Sequence, residues 1–300
     1  MQLDLFKKSL NNNGVPFSEK EVMKNHTTFK IGGKADIFVS PKDEEQLIFT
    51  LKSAKETSVP AFILGNGSNL LVSDEGIAGA VIDMTSLCGI KVISNEIISG
   101  AGESLRKLCL AARDNSLSGL EFAYGIPGTV GGAMYMNAGA YGGEMADVTV
   151  SAVCLDKDYN RFEIPIEKME LSYRNSVFKT AGYIVLSVRF RLKKGDKDEI
   201  NEVMKDIFKR RTDKQPLDFP SAGSTFKRPV GNYAGTLIEK AGLKGKSVGG
   251  AMVSEKHAGF IINYDNATAK DVKSLIKKVK DTVYEQSGIN LAEEVIFVGR

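Results

Sequence analysis

The sequence has no tryptophan, two histidines, three cysteines and eight prolines. Each scarcity excludes something. Two histidines, His26 and His257, leave little room for a histidine-rich metal site or a serine–histidine triad, so no metal centre is expected. The cysteines, Cys88, Cys109 and Cys154, are odd in number, widely spaced and set among apolar residues. They form neither a disulfide framework nor a CxxC zinc pair, and read as reduced thiols of a cytosolic protein. No apolar run approaches the ~18 residues that a membrane-spanning helix needs. The start, MQLDLFKKSL, lacks the apolar core and small-residue cleavage site of a signal peptide. Net charge is scarce too: 40 basic residues face 37 acidic ones, for a net of +3. That bias is too weak to imply nucleic acid. The expectation is a cytoplasmic protein without nucleic-acid or membrane partners. A chain of 300 residues, 42% hydrophobic and 26% charged, buries a sizeable core without staples.

What is present is glycine, concentrated in a few places. Residues 125–143 read GIPGTVGGAMYMNAGAYGG, with seven glycines in nineteen residues. Two shorter turns precede it, GNGSN at 65–69 and GAG at 100–102. Backbone N–H groups in such turns converge on anions, and a missing Cβ lets them approach closely. Several such turns in one half of the chain suit a large phosphorylated cofactor with several points of contact. There is no GxxxxGK[ST], which removes a P-loop. GAGESL departs from the dinucleotide fingerprint, because Leu105 stands where the third glycine would be.

Periodicity predicts a short helix near 2–11, a helix over 43–58 and a strand–turn–helix over 96–116. Strands are expected at 79–84, 148–156, 161–166 and 183–195. The last alternates, with Ile184, Leu186, Val188 and Phe190 on one face. The charged run KKGDKDE at 193–199 is the best linker candidate, followed by an amphipathic helix at 199–211. A long helix starts at Thr268 with a capping box to Asp271, buries Leu275, Ile276, Val279 and Val283, and ends at Gly288. A strand closes the chain at 293–299. Helices and strands mix without strict alternation, so the fold class is α+β.

LGNGSNLLVSDEG (64–76) and YGIPGTVGGAMYMNAGAYG (124–142) closely resemble the flavin-binding half of the UDP-N-acetylenolpyruvoylglucosamine reductases, which serve peptidoglycan precursor synthesis. The resemblance runs from about Thr27 to Arg300. It implies a two-lobed FAD-binding domain of the vanillyl-alcohol-oxidase/PCMH type at 21–195, with lobes of about 21–90 and 91–195. A short helical segment at 1–20 precedes it, and a C-terminal α+β substrate-binding domain follows at 199–300. FAD is held noncovalently in this reading. Its implied contacts are Leu64, Gly65, Asn66, Gly67, Ser68 and Asn69 in one loop. The long stretch adds Gly125, Pro127, Gly128, Thr129, Gly131, Gly132, Asn137, Ala138 and Gly139.

The resemblance further implies NADPH as hydride donor and UDP-N-acetylglucosamine enolpyruvate as acceptor, giving UDP-N-acetylmuramate. Hydride reaching the vinyl carbon leaves negative charge spread into the carboxylate, and a proton must then reach the adjacent carbon. SYRNSVFK (172–179) supplies Arg174 as the implied catalytic arginine, whose fork fits a carboxylate gaining charge. PSAGSTFKRP (220–229) supplies Ser224 as the implied proton donor. LAEEVIFVG (291–299) supplies Glu294 as the implied stabiliser of the intermediate, although strand parity alone does not separate it from Glu293. Tyr173, Lys227, Arg228 and His257 are the implied substrate contacts. KRRTDKQP (209–216) offers further cations, although a basic helix end is normally only solvated. The interval between the YRNS motif and the Ser224 loop is short, as in the form of the family without a tyrosine-bearing insertion. A monomer is the default expectation. Competing readings are another FAD-dependent oxidoreductase or oxidase of this fold, and a non-catalytic nucleotide-binding protein.

Overall fold

The computed structural model describes residues 1–300. The chain divides into two compact units, and it passes between them five times. The first contains Met1–Phe17, Val39–Asn66 and Val81–Arg211; the second contains Ser18–Phe38, Gly67–Ala80 and Thr212–Arg300.

The first unit is built on a five-stranded antiparallel sheet. Its order is Arg161–Pro165, Thr149–Leu155, Ile184–Arg191, Glu96–Gly100, Ile90–Ile93. The expected alternation in Ile184–Arg191 holds at its C-terminal half, where Val188 and Phe190 are buried and Arg189 and Arg191 exposed. At its start both Val185 and Leu186 are buried, and the register against Thr149–Leu155 shifts between Val153 and Cys154. This strand feeds two apolar clusters. Val185, Val188 and Phe190 join the core with the helix Leu105–Asp114, while Leu186 joins Leu47 and Leu51 of the helix Glu44–Glu56. Asp43 caps that second helix, accepting from the N–H of Gln46 at 2.8 Å.

The second unit centres on the helix Ala269–Ser287, and here the sequence pattern is realised residue by residue. Thr268 Oγ1 accepts from the N–H of Asp271 at 3.0 Å, and the Asp271 carboxylate accepts from the N–H of Thr268 at 2.9 Å. Leu275, Ile276, Val279 and Val283 are buried. Gly288 ends the helix at φ 69°, where its missing Cβ removes the left-handed penalty. The buried face packs with Phe29, Ile31, Leu71, Phe226 and Val253. Ile296–Val298 runs parallel to Leu70–Val72. Losing the cap hydroxyl in Thr268→Ala is expected to lower stability by about 1 kcal/mol, read as a lower urea midpoint at unchanged slope.

Two linear expectations are revised. The charged run 193–199 is not a linker: Lys193–Lys194 pairs with Leu117–Ser118, and Lys197 opens an 18-residue helix to Lys214. Its charges mark the solvated side of regular structure. The domain expectation of 1–20, 21–195 and 199–300 cuts the chain at points along its length, whereas Ser18–Phe38 and Gly67–Ala80 fold with the C-terminal third. Phe29, Ile31 and Leu71 find their buried partners there, roughly two hundred positions away in sequence. The fold is α+β, as the mixed element order indicates.

Candidate functional site

In the first unit the glycine loops meet one another. Asn66 Nδ2 donates to the carbonyl of Pro127 at 2.6 Å. A Cβ on Gly65 would lie 2.5 Å from Thr129 Oγ1, so a bare backbone is required at position 65. Thr129 in turn caps the short helix Val130–Met136. These contacts border a cleft of about 290 Å³ whose lining includes Asn66, Gly102, Ser104, Pro127, Gly128 and Thr129. Arg106 and Lys107 add two cations to its wall. At its edge the Glu103 side chain is buried, accepting from the N–H groups of Ser104 and Gly89 at 3.0 and 3.3 Å, with Lys107 Nζ at 3.6 Å. Bare backbone and two cations suit a nucleotide diphosphate. The donor set therefore fits FAD. The GAG turn was legible as part of this site, but Arg106 and Lys107 were not, because they lie on a helix whose signal is its apolar face.

Cys88 is exposed and lines the same cleft. The other thiols are buried: burial pushes Cys154 up to about 12 and raises Cys109 as well. Only Cys88 is expected to alkylate in the native protein. With FAD at about 100 times its Kd, nearly all sites are filled and the rate should fall on the order of 100-fold. An FAD-independent rate, followed by iodoacetamide mass labelling, would place the cofactor elsewhere.

Several glycines of 125–143 also have a packing reason. A Cβ on Gly131 would come within 3.0 Å of the Ala101 side chain, and one on Gly143 within 2.8 Å of the Phe122 ring. Gly139 pairs with Glu144 in a two-residue ladder. Gly132 supplies the N–H that Thr129 caps, at 3.3 Å. These four keep the stretch tightly packed. Asn137 is buried at φ 40°. Its Nδ2 donates to the carbonyl of Ser172 at 3.3 Å and its Oδ1 accepts from Ala146, so it ties the glycine stretch to the next motif. Ala138 donates its N–H to Ala133 and is half-buried in the same core.

That next motif is a four-residue turn. Ser172 and Asn175 exchange both backbone hydrogen bonds at 3.1 Å, and Ser176 Oγ donates to the carbonyl of Tyr135 at 2.8 Å. Between them Arg174 is held at φ 56°, a left-handed conformation that costs an L-residue roughly 1–2 kcal/mol. Its guanidinium lies 5.1 Å from the centre of the Tyr173 ring, and Tyr173 is exposed.

In the second unit the remaining loop residues adjoin the C-terminal candidates. A Cβ on Gly67 would lie 2.2 Å from the carbonyl oxygen of His26, and Gly67 accepts from Thr28 N–H at 3.3 Å. Ser68 leads to Asn69, whose Nδ2 donates to the Glu294 carbonyl at 3.1 Å. The Ser224 loop is fixed by its neighbour. Thr225 N–H donates to Gly259, Thr225 Oγ1 accepts from Ile261 N–H, and the Thr225 carbonyl accepts from Glu294 N–H at 2.8 Å. Lys227 N–H donates to Ala292. The half-buried Ser224 thus stands on a segment directly bonded to the segment of Glu294. Glu293 is committed elsewhere: Lys280 Nζ lies 2.6 Å from its carboxylate. Burial pushes the Glu293 carboxyl up, but the Lys280 hydrogen bond and the charges of Lys280 and Lys227 outweigh this and leave it below its ordinary value. The ion pair ties Glu293 to the helix Ala269–Ser287.

Arg228 stacks over Tyr233 at 4.0 Å. His257 packs edge-on against Phe260, and its Nδ1 accepts from Gly259 N–H at 3.1 Å. Burial holds its pKa below the ordinary value. The neutral ring therefore carries its proton on Nε2, its remaining donor.

Residues 35–158 match the family model of an FAD binding domain, and residues 215–298 match that of the UDP-N-acetylenolpyruvoylglucosamine reductase C-terminal domain. The UDP-N-acetylenolpyruvoylglucosamine reductase of Clostridium botulinum (strain 657 / Type Ba4) is 49% identical over 98% of this chain and 95% of its own length. That of Alkaliphilus oremlandii is 51% identical over 93% and 92%. The crystal structure of the Thermus caldophilus reductase matches with a TM-score of 0.81 at 36% identity, covering 95% of this chain and 98% of that one. Matches spanning both glycine loops and the Ser224 and Glu294 segments show that the chain belongs to the UDP-N-acetylenolpyruvoylglucosamine reductase family.

Proposed function

We infer that this chain reduces UDP-N-acetylglucosamine enolpyruvate to UDP-N-acetylmuramate, using NADPH and bound FAD. The observation that carries this reading is the direct bonding of the Ser224 loop to the Glu294 segment through Thr225, inside the range that matches the reductase C-terminal domain. A proton donor and a carboxyl group on adjoining segments are what an enolpyruvyl acceptor needs once charge reaches its carboxylate.

Bound FAD supplies two-electron chemistry, taking hydride equivalents from NADPH for delivery to the acceptor. Asn66, Gly65, Gly128, Thr129, Arg106 and Lys107 would hold its diphosphate in the cleft of the first unit. Arg174 grips the acceptor carboxylate with two parallel N–H donors, which strengthen as charge develops there. Ser224 Oγ gives its proton to the carbon beside that carboxylate, after the terminal vinyl carbon has gained hydride. Glu294 stabilises the same intermediate together with Arg174. Lys227 and Arg228 neutralise the UDP diphosphate, Tyr173 donates to the substrate, and His257 Nε2 donates at its nucleotide end. The working assembly is a cytoplasmic monomer that needs no nucleic acid, metal or membrane. No helix is long and apolar enough to cross a membrane. The test is product analysis: NADPH and the enolpyruvyl nucleotide should give the lactyl ether with one deuterium from solvent beside the carboxylate. An unlabelled product, or oxygen as the preferred acceptor, contradicts the reading.

A further inference from the structure

Asn69 closes the GNGSN loop, and two of its polar groups meet the C-terminal strand region of the same unit. Its side-chain Nδ2 donates to the Glu294 carbonyl at 3.1 Å, across 225 positions of sequence. Its own carbonyl accepts from the N–H of Ile296 at 2.9 Å. One residue later the parallel ladder of Leu70–Val72 with Ile296–Val298 begins, with Leu70 opposite Ile296. A regular parallel ladder would continue backwards with a donor from position 69 to the carbonyl of residue 294. The Asn69 side chain supplies such a donor, and so extends the ladder by one step onto Glu294.

The other side of the Glu294 main chain is held as well. Its N–H donates to the Thr225 carbonyl at 2.8 Å, beside Ser224. Its neighbour Glu293 bridges Phe226 and pairs with Lys280. Glu294 is therefore clamped at its N–H by the Ser224 loop and at its carbonyl by the GNGSN loop. A carboxyl that is to meet a developing charge helps only if its place is set before the charge appears. Of the two direct clamps, the one from Thr225 is main chain to main chain. The one from Asn69 depends on a side chain.

We propose that Asn69 is a positioning residue of the reaction: its amide fixes the Glu294 main chain so that the Glu294 carboxyl meets the charge developing on the acceptor. This rests on the role given to Glu294 above. Asn69 acts through Glu294, and its effect requires that carboxyl.

The test is a double-mutant cycle of Asn69→Ala and Glu294→Gln in FAD-loaded protein, read by anaerobic stopped flow. Asn69→Ala should slow reoxidation by the enolpyruvyl nucleotide on the order of 10–100-fold, the loss that follows a small misplacement of a catalytic group. Reduction by NADPH and affinity for FAD should keep their wild-type values. In the Glu294→Gln background the same substitution should slow reoxidation little further, because residues that act as one unit do not add. The fold should survive, since neither the ladder nor the Thr225 bonds use the Asn69 side chain. Asn69→Asp keeps the size but loses the donor, and should not recover the rate; it is read in the same cycle if the alanine variant does not fold. Equal slowing in both Glu294 backgrounds overturns the proposal, because Asn69 then acts independently of that carboxyl. Weakened FAD binding with both half-reactions slowed also overturns it and makes Asn69 a cofactor contact. An unchanged rate of reoxidation in Asn69→Ala does the same. A Glu294→Gln protein that reoxidises at the wild-type rate overturns the proposal earlier, at the role given to Glu294 itself.

Discussion

Replacing Ser224 by alanine is expected to slow reoxidation of the flavin by the enolpyruvyl nucleotide by about 10²–10⁴-fold, while reduction by NADPH keeps its rate. The first half-reaction needs no proton at a substrate carbon, and the second does. The substitution removes one hydroxyl and little else. The loop is held by Thr225, through Gly259, Ile261 and Glu294, and none of those bonds uses the Ser224 side chain. Gly223, at φ 74°, sets the turn before it and is untouched. The variant should therefore fold and load FAD like the wild type. Anaerobic stopped-flow measurement of the two half-reactions separates the roles. Equal slowing of both would contradict the proton-donor assignment and point instead to a disturbed FAD site.

Replacing Arg174 by alanine is expected to lower kcat by about 10²–10³-fold, the usual loss when one preorganised donor to a developing anion is removed. The local backbone supports a role of this kind. A non-glycine residue at φ 56° stores strain, and the turn keeps it only because Ser172, Asn175, Asn137 and Ser176 fix it on both sides. Alanine carries the same Cβ and leaves this backbone cost unchanged, so thermal stability should hold. Arg174→Lys retains the charge but not the two parallel donors, and should recover only part of the loss. The check is steady-state kinetics beside single-turnover reduction by NADPH, which should be unaffected. A variant that loses KM for the acceptor at full kcat would make Arg174 a ground-state binding group rather than a stabiliser of charge.

The parts of this molecule that were legible in the sequence are those whose signals are local. The helix Ala269–Ser287 carries its cap, its period and its terminal glycine within twenty-one residues, and each appears where the pattern puts it. The glycine loops stood out because a missing Cβ is visible in the sequence, and two of them do meet, through Asn66 and Pro127. What was hidden depends on partners far along the chain. The charges at 193–199 suggested a linker, yet Lys193–Lys194 pairs with Leu117–Ser118, which no window of sequence displays. The assignment of Ser18–Phe38 and Gly67–Ala80 to the second unit follows from cores that form only in three dimensions. Glu293 and Glu294 are alike in the sequence, and the ion pair of Glu293 with Lys280, thirteen residues away, is invisible there. Arg211 is the sharpest case, because a basic run gives no sign that the Nε of one of its members is shut off from solvent.

The central claim is tested most directly in one anaerobic cuvette. Purified protein loaded with FAD is scanned in the visible range, NADPH is added, and then one equivalent of UDP-N-acetylglucosamine enolpyruvate. The account predicts that the flavin band bleaches with NADPH and returns in full with the sugar nucleotide. A band that bleaches and stays bleached until air is admitted would contradict it, and would leave an FAD-dependent enzyme with a different acceptor.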